Sequence, residues 1–168
     1  PSARETARIL EERARELARP PPTAEAPGPT LEVVTFTIDG ERLALDVRYV
    51  QAVARTPPVT PAPAAPEGLL GVTGFRGEVV AVFDLAGAQA RRAQALFLGR
   101  DAIEMAIVAD AVEDVVRLRA DAIVPQPWRT AARGPRRGLM ATGLSVLDGQ
   151  ALLEDDAFMV GPTGVGAG

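Results

Sequence analysis

Gly71 to Leu85 reads GVTGFRGEVVAVFDL, and Gly143 to Ala157 reads GLSVLDGQALLEDDA. Gly71, Gly77 and Asp84 align without gaps with Gly143, Gly149 and Asp156, each 72 positions further on. Upstream, Leu43 to Arg55 (LALDVRYVQAVAR) answers Met105 to Arg117 (MAIVADAVEDVVR) at a distance of 62 positions. That second echo pairs Val50 with Val112, Val53 with Val115 and Arg55 with Arg117. Both echoes run in the same chain order, which predicts a duplicated β unit: two similar sub-barrels in one chain. Short strands separated by turn signals every 8–12 residues or so fit small barrels.

Leu31 to Ile38 alternates as a strand, with Val34, Phe36 and Ile38 on one face. Asp39-Gly40 is a tight hairpin signal, since both residues tolerate positive φ. Leu43, Leu45 and Val47 continue the return strand, and a helical turn and short strand carry Val50 and Val53. Pro57, Pro58, Pro61, Pro63 and Pro66 make Arg55 to Glu67 an irregular crossover or a second linker. Strands are expected at Gly71–Phe75 and Glu78–Leu85 around a Gly77 turn, then at Ala93–Leu98, Met105–Val108 and Val115–Leu118. Pro125 to Gly138 reads as a loop carrying Trp128, Arg129, Arg133, Arg136 and Arg137, a solvated basic segment. Leu139 to Leu147, an Asp148-Gly149 turn and a strand at Gln150–Leu153 complete the repeat. Gly71, Gly77, Gly143 and Gly149 are read as structural turns. They do not form a phosphate loop, because no Lys-Ser/Thr follows them. Asp84 and Asp156 are expected to cap turns at strand ends.

The ends of the chain read differently. Ser2 and Glu5 form a capping box for a helix within residues 1–19, with Ala3, Ala7, Leu10, Ala14 and Leu17 as a narrow apolar stripe. Pro20, Pro21 and Pro22 stop it, and residues 20–30 form a Pro-rich linker. The β domain is placed at 31–160 and a flexible tail at 161–168.

Composition narrows the chemistry. The 168 residues contain neither cysteine nor histidine, which removes disulfides, thiolate metal sites, the commonest general base and the usual pH switch. With no convergent catalytic cluster, an enzyme is not expected, and no cofactor or metal is assigned. The net charge of −4, with one Trp, one Tyr and five Phe, argues against nucleic acid. No apolar run is long enough to span a membrane, so a cytoplasmic location is expected. The rival reading from another class, a small-molecule-binding β-barrel protein, lacks a polar constellation to support it.

The order F-x-I-x-G-x-x-L-A-L, V-Q-x-V, G-V-T-x-x-R-G-x-V-V-x-V-x-D-L, V-A-D-A-V-E-D-V and L-D-G-Q-x-L-L, running from Leu31 to Met159, resembles the CheW family of chemotaxis adaptors. The resemblance implies a mainly β fold of two intertwined five-stranded SH3-like barrels. It also implies a non-catalytic adaptor that couples the regulatory domain of a CheA-type histidine kinase to the cytoplasmic tip helices of chemoreceptors. Membrane-associated arrays would be the setting, with ring or array assembly left open. By position, the receptor-helix groove would be lined by Val34, Val47, Val50, Val53 and Val112. Phe75 and Arg76 would form a polar interface or stabilise their turn. Ala52 stands where the family carries an acidic residue, Gly74 where it carries Asn, Phe75 where it carries Leu and Ala81 where it carries Pro. These departures fit a diverged member, and a CheW-like interaction module in another signalling or polar-localisation system is the alternative.

Overall fold

Asp39 and Gly40, with φ of 51° and 82°, close the hairpin between β1 (Thr30–Ile38) and β2 (Glu41–Asp46). Consecutive positive φ values are the mark of the turn that matches strand twist. The computed structural model describes residues 28–88, 90–125 and 134–155. The expected N-terminal helix, most of the Pro-rich linker, Trp128, Arg129, Arg133, Asp156 and the C-terminal tail lie outside the described residues. Beyond the first hairpin come β3 (Val50–Arg55), β4 (Leu69–Phe75), β5 (Glu78–Phe83), β6 (Gln94–Leu98), β7 (Met105–Ala109), β8 (Ala111–Arg119), β9 (Arg136–Leu139), β10 (Ser145–Leu147) and the short helix α1 (Gly149–Glu154).

The strands form two five-stranded sheets, ordered β8-β1-β2-β10-β9 and β3-β6-β7-β5-β4. The second is a copy of the first. β1 and β2 are antiparallel and β10 joins β2 in parallel; β6 and β7 are antiparallel and β5 joins β7 in parallel. Val34 faces Leu45 and Val115, and its counterpart Leu96 faces Ile107 and Val53. Phe36 faces Leu43 and Val112 as Leu98 faces Met105 and Val50. The Val50/Val112 and Val53/Val115 equivalences expected from the sequence therefore hold in three dimensions. The outer strands are exchanged: β3 follows β2 in the chain but pairs with β6, while β8 follows β7 but pairs with β1.

Alternation along each strand divides the interior into three layers. Leu31, Val33, Ala44, Leu144 and Val146 fill the first barrel, and Val80, Val82, Ala95, Phe97, Ala106 and Val108 the second. The opposite faces, including Val34, Phe36, Leu43, Leu45, Phe83, Leu96, Leu98 and Ile107, meet in one core between the barrels. Central strands are buried on both faces, so β6 (QALFL) and β7 (MAIVA) are continuous apolar runs rather than alternating ones.

The first echo has a different structural register from the one its glycines suggest. Gly71 has φ of 148° in β4 and pairs with Val82; Gly138 has φ of 154° in β9 and pairs with Val146. The residues after them make matching isolated bridges, Val72 to Thr60 and Leu139 to Val124. A Cβ on Gly71 would lie 2.0 Å from the Thr60 carbonyl oxygen, and one on Gly138 2.4 Å from that of Val124. Gly71 thus sits in a strand where a neighbouring backbone crosses, not at a turn, and its partner is Gly138, not Gly143. By the same register Asp84 answers Asp148. Gly77 (φ 81°) and Gly143 (φ 92°) do occupy turns.

Arg136 to Gly138 belong to β9 rather than to a loop, and residues 141–143 turn the chain before β10. Gln150–Leu153 is helical, not extended. Asp148 caps α1 by accepting the Ala151 amide at 3.0 Å, and Gly149 is the first helical residue. Gly149 is required by proximity, since a Cβ there would lie 2.4 Å from the Tyr49 ring.

Candidate protein-interaction surface

β3 and β8 are the edge strands contributed by the exchange, and each presents two valines towards the inter-barrel core. Residues directly opposite on neighbouring strands share a face. Val50 and Val53 lie opposite core residues Leu98 and Leu96; Val112 and Val115 lie opposite core residues Phe36 and Val34. Val47, Val50 and Val112 are half-buried and pack against this one core. Further along their strands, Val53 is 42% exposed and Val115 58% exposed. The shared core thus emerges at both exchanged edges as exposed apolar surface.

Of the five valines expected in a groove, Val34 is not available. It is 6% exposed, because its face of β1 packs in the inter-barrel core with Phe83, Leu96 and Ile107 of the other sheet. Its cross-strand neighbour Val115 takes the accessible position. Val115 is the sequence echo of Val53, and the echo alone does not mark it as a surface position.

Hydrogen bonds and ion pairs brace the approach to these strands. Asp46 accepts the Arg48 amide at 3.0 Å and starts a single 3-10 turn, Val47–Tyr49. The Tyr49 carbonyl accepts the Gly99 amide at 3.0 Å, and the Gln51 side chain donates to the Gly99 carbonyl at 2.9 Å. Arg100, held by Glu104 at 3.1 Å, also reaches Glu154 of α1 at 3.3 Å.

At the β4–β5 tip, Arg76 (φ 52°) and Gly77 form the turn. Phe75 stacks on Phe97 with ring centroids 3.8 Å apart and planes 8° from parallel. The Arg76 guanidinium lies over Phe75, 5.0 Å from its centroid, a cation–π contact rather than an ion pair among the described residues. The strongly exposed Val79 lies opposite Gly74 on the same hairpin.

The strongest electrostatic feature had no sequence signature. Arg92 is buried with its side chain 3% exposed, and its guanidinium meets three carboxylates. These are Asp39 at 2.8 Å on the β1–β2 hairpin, Asp110 at 3.0 Å between β7 and β8, and the fully buried Asp84 at 3.2 Å after β5. Asp84 also accepts the amides of Ala86 at 3.0 Å and Ala90 at 3.1 Å. The Asp39 amide donates to Asp110 at 2.7 Å. Hydrogen bonding to Asp39, opposed by burial and helped by Asp84 and Asp110, raises the Arg92 pKa still further above its high ordinary value. The same hydrogen bond holds the Asp39 carboxyl below the usual carboxylate range. The node ties the first hairpin to the second sheet, a positioning role for which carboxylates and a planar fork suffice.

Among the described residues, no group of His, Cys, Asp or Glu is arranged to hold a metal ion. Nor is any helix among them long and apolar enough to cross a membrane.

A family model described as the CheW-like domain matches residues 32–157. Protein FrzA of Myxococcus xanthus is 34% identical over 106 residues, which cover 59% of this chain and 66% of FrzA, just under two thirds of that relative's length. The crystal structure of the scaffolding protein TtCheW from Thermoanaerobacter tengcongensis superposes with a TM-score of 0.62 at 21% identity, over 73% of this chain and 87% of that one. The last likeness establishes the fold: two five-stranded sheets with exchanged outer strands.

Proposed function

The chain belongs to the CheW-like domain family, and on that premise we propose that it is a non-catalytic scaffold coupling a CheA-type histidine kinase to chemoreceptor tip helices. The family match over 32–157 carries this reading. Support from the molecule itself comes from the exchanged edge strands, where Val47, Val50, Val53, Val112 and Val115 supply apolar anchors. A helix-in-groove partner needs such anchors. Val115 replaces the buried Val34 in the proposed docking set. The absence of His and Cys and the structural use of the Arg92 carboxylates agree with a protein that acts by binding alone.

One observation favours a diverged partner. With Ala52 half-buried against the second barrel's core, Arg76 rests on Phe75 instead of a carboxylate. A partner of this member would meet a turn of different polarity from the usual one.

The test is reconstitution of the purified chain with a CheA-type kinase and receptor cytoplasmic fragments, scored by co-sedimentation and kinase autophosphorylation. Recruitment of all three with altered phosphorylation is expected. Val53→Glu should weaken receptor co-sedimentation about tenfold or more, because burying a valine side chain contributes about 1.5–3 kcal/mol, while the melting temperature is kept. Capture of the kinase alone would assign the module to another signalling system. Capture of neither would sink the coupling role.

A further inference from the structure

An open cleft of about 890 Å³ lies beside the second barrel, between the proline-rich crossover after β3 and the strap that leads into β6. Arg55, Thr56, Pro57, Pro58, Val59 and Leu70 line one part, and Ala90 to Gln94 the other. Its apolar floor belongs to a different core from the valines above. Val59 and Leu70 pack against the second barrel's own interior, not against the layer between the barrels.

Two cations stand at this cleft without anions. Arg55 and Arg91 are exposed, and neither makes an ion pair or hydrogen bond among the described residues. Arg91 is nevertheless held in place by its neighbours. The Ala90 amide donates to Asp84, Arg92 is locked on three carboxylates, and the Ala93 carbonyl accepts the Thr56 amide at 2.9 Å. With Arg92 turned inward and pinned, Arg91 is the outward residue of a strap fixed on both sides. Positioned donors lose little freedom on binding. Among the described residues the Thr56 hydroxyl on the opposite wall is buried with no hydrogen-bond partner, so a rotation about χ1 that presented it to an acceptor would satisfy it.

We propose that this cleft is a second, separate docking site for an acidic peptide segment of a protein partner, carboxylates on Arg55 and Arg91 flanking an apolar side chain on Val59 and Leu70. Charge complementarity selects the occupant. Two cations on a chain of net charge −4 suit a short carboxylate-bearing segment and not a polyphosphate backbone or an anionic membrane. The proline walls are preset in conformation and suit an extended ligand.

The test is to pan a displayed library of random octapeptides on the full chain, and in parallel on the Arg55→Glu/Arg91→Glu variant. Peptides enriched on the parent chain are expected to carry two or more Asp or Glu around an apolar residue. In fluorescence anisotropy they should lose at least about tenfold in affinity for the double variant, as expected for charged hydrogen bonds. Both arginines are exposed and neither side chain is paired among the described residues, so the melting temperature should not move. Thr56→Val should lose roughly threefold in affinity without lowering the melting temperature, since it removes an unsatisfied hydroxyl. No enrichment, enrichment of neutral or basic peptides, or equal affinity for the charge-reversed chain would overturn the assignment. So would loss of the same peptides on Val53→Glu, which would move them to the inter-barrel surface.

Discussion

Replacing Arg92 by methionine keeps most of the side-chain volume and removes the charge from the centre of a carboxylate cluster. Of its three partners, Asp39 and Asp110 are about half-exposed and can be hydrated when the guanidinium is gone. Bonds to such solvent-screened groups contribute little to stability. Asp84 differs. Its side chain is fully buried, and without Arg92 it keeps, among the described residues, the Ala86 and Ala90 amides as donors. Removing one member of a buried pair costs about 3–5 kcal/mol, and the two remaining amides place this case near the lower bound, about 3 kcal/mol. For a domain whose total stability is about 5–15 kcal/mol, urea unfolding followed by tryptophan-independent far-UV dichroism should show the midpoint fall clearly. Arg92→Met combined with Asp84→Asn should recover part of the loss, because the second change removes the stranded charge. The coupling energy of that double-mutant cycle isolates the buried pair. A loss under about 1 kcal/mol for Arg92→Met, or strict additivity in the cycle, would refute the claim that Asp84 depends on Arg92.

Gly71→Ala and Gly138→Ala should each destabilise by about 3 kcal/mol in the same denaturation assay, since both combine positive φ with backbone overlap. A neutral result at either would break the structural equivalence drawn between them. The folded chain should lose stability as pH falls through the acid range. Hydrogen bonds from Arg92, Arg100 and Arg119 lower the pKa values of Asp39, Glu104 and Asp121 respectively. A carboxyl lowered by folding stabilises above its unfolded pKa of about 4 and loses that contribution as pH drops through the folded value. Melting temperatures should therefore decline below about pH 4 and stay flat from about pH 5 to 8, where no histidine titrates; a step near pH 6.5 would contradict this.

The duplication was legible where side chains alternate against a shared core. The Val50/Val112 and Val53/Val115 echo survives because both members of each pair face equivalent core residues. The Gly71/Gly143 echo misled because identical glycines answered different needs: close backbone passage at Gly71, a turn at Gly143 and contact with Tyr49 at Gly149. α1 was missed because its short apolar run also suits a strand. Asp148 followed by Gln150, Ala151, Leu152 and Glu154, a cap before good helix formers, was the available signal. Val34 entered the groove set by its position in the family pattern, and one-face alternation says nothing about whether a further layer covers that face. The Arg92 node was invisible for a topological reason: Asp39 and Asp110 lie 53 and 18 residues away from it in the chain.

The exchange of β3 and β8 also governs how this chain can be made. The Thr35 hydroxyl and the Asp114 backbone that meet across the β1–β8 seam are 79 residues apart. During synthesis β1 therefore waits with an open, apolar edge until most of the domain has left the ribosome. High sequence separation slows folding and prolongs exposure of such edges to aggregation. Nor can the nascent chain complete one barrel and then begin the next, because the first sheet needs β8, β9 and β10 from its far end. Cutting at the proline-rich crossover would leave neither fragment with a full sheet, so the two barrels should appear and disappear as one cooperative unit.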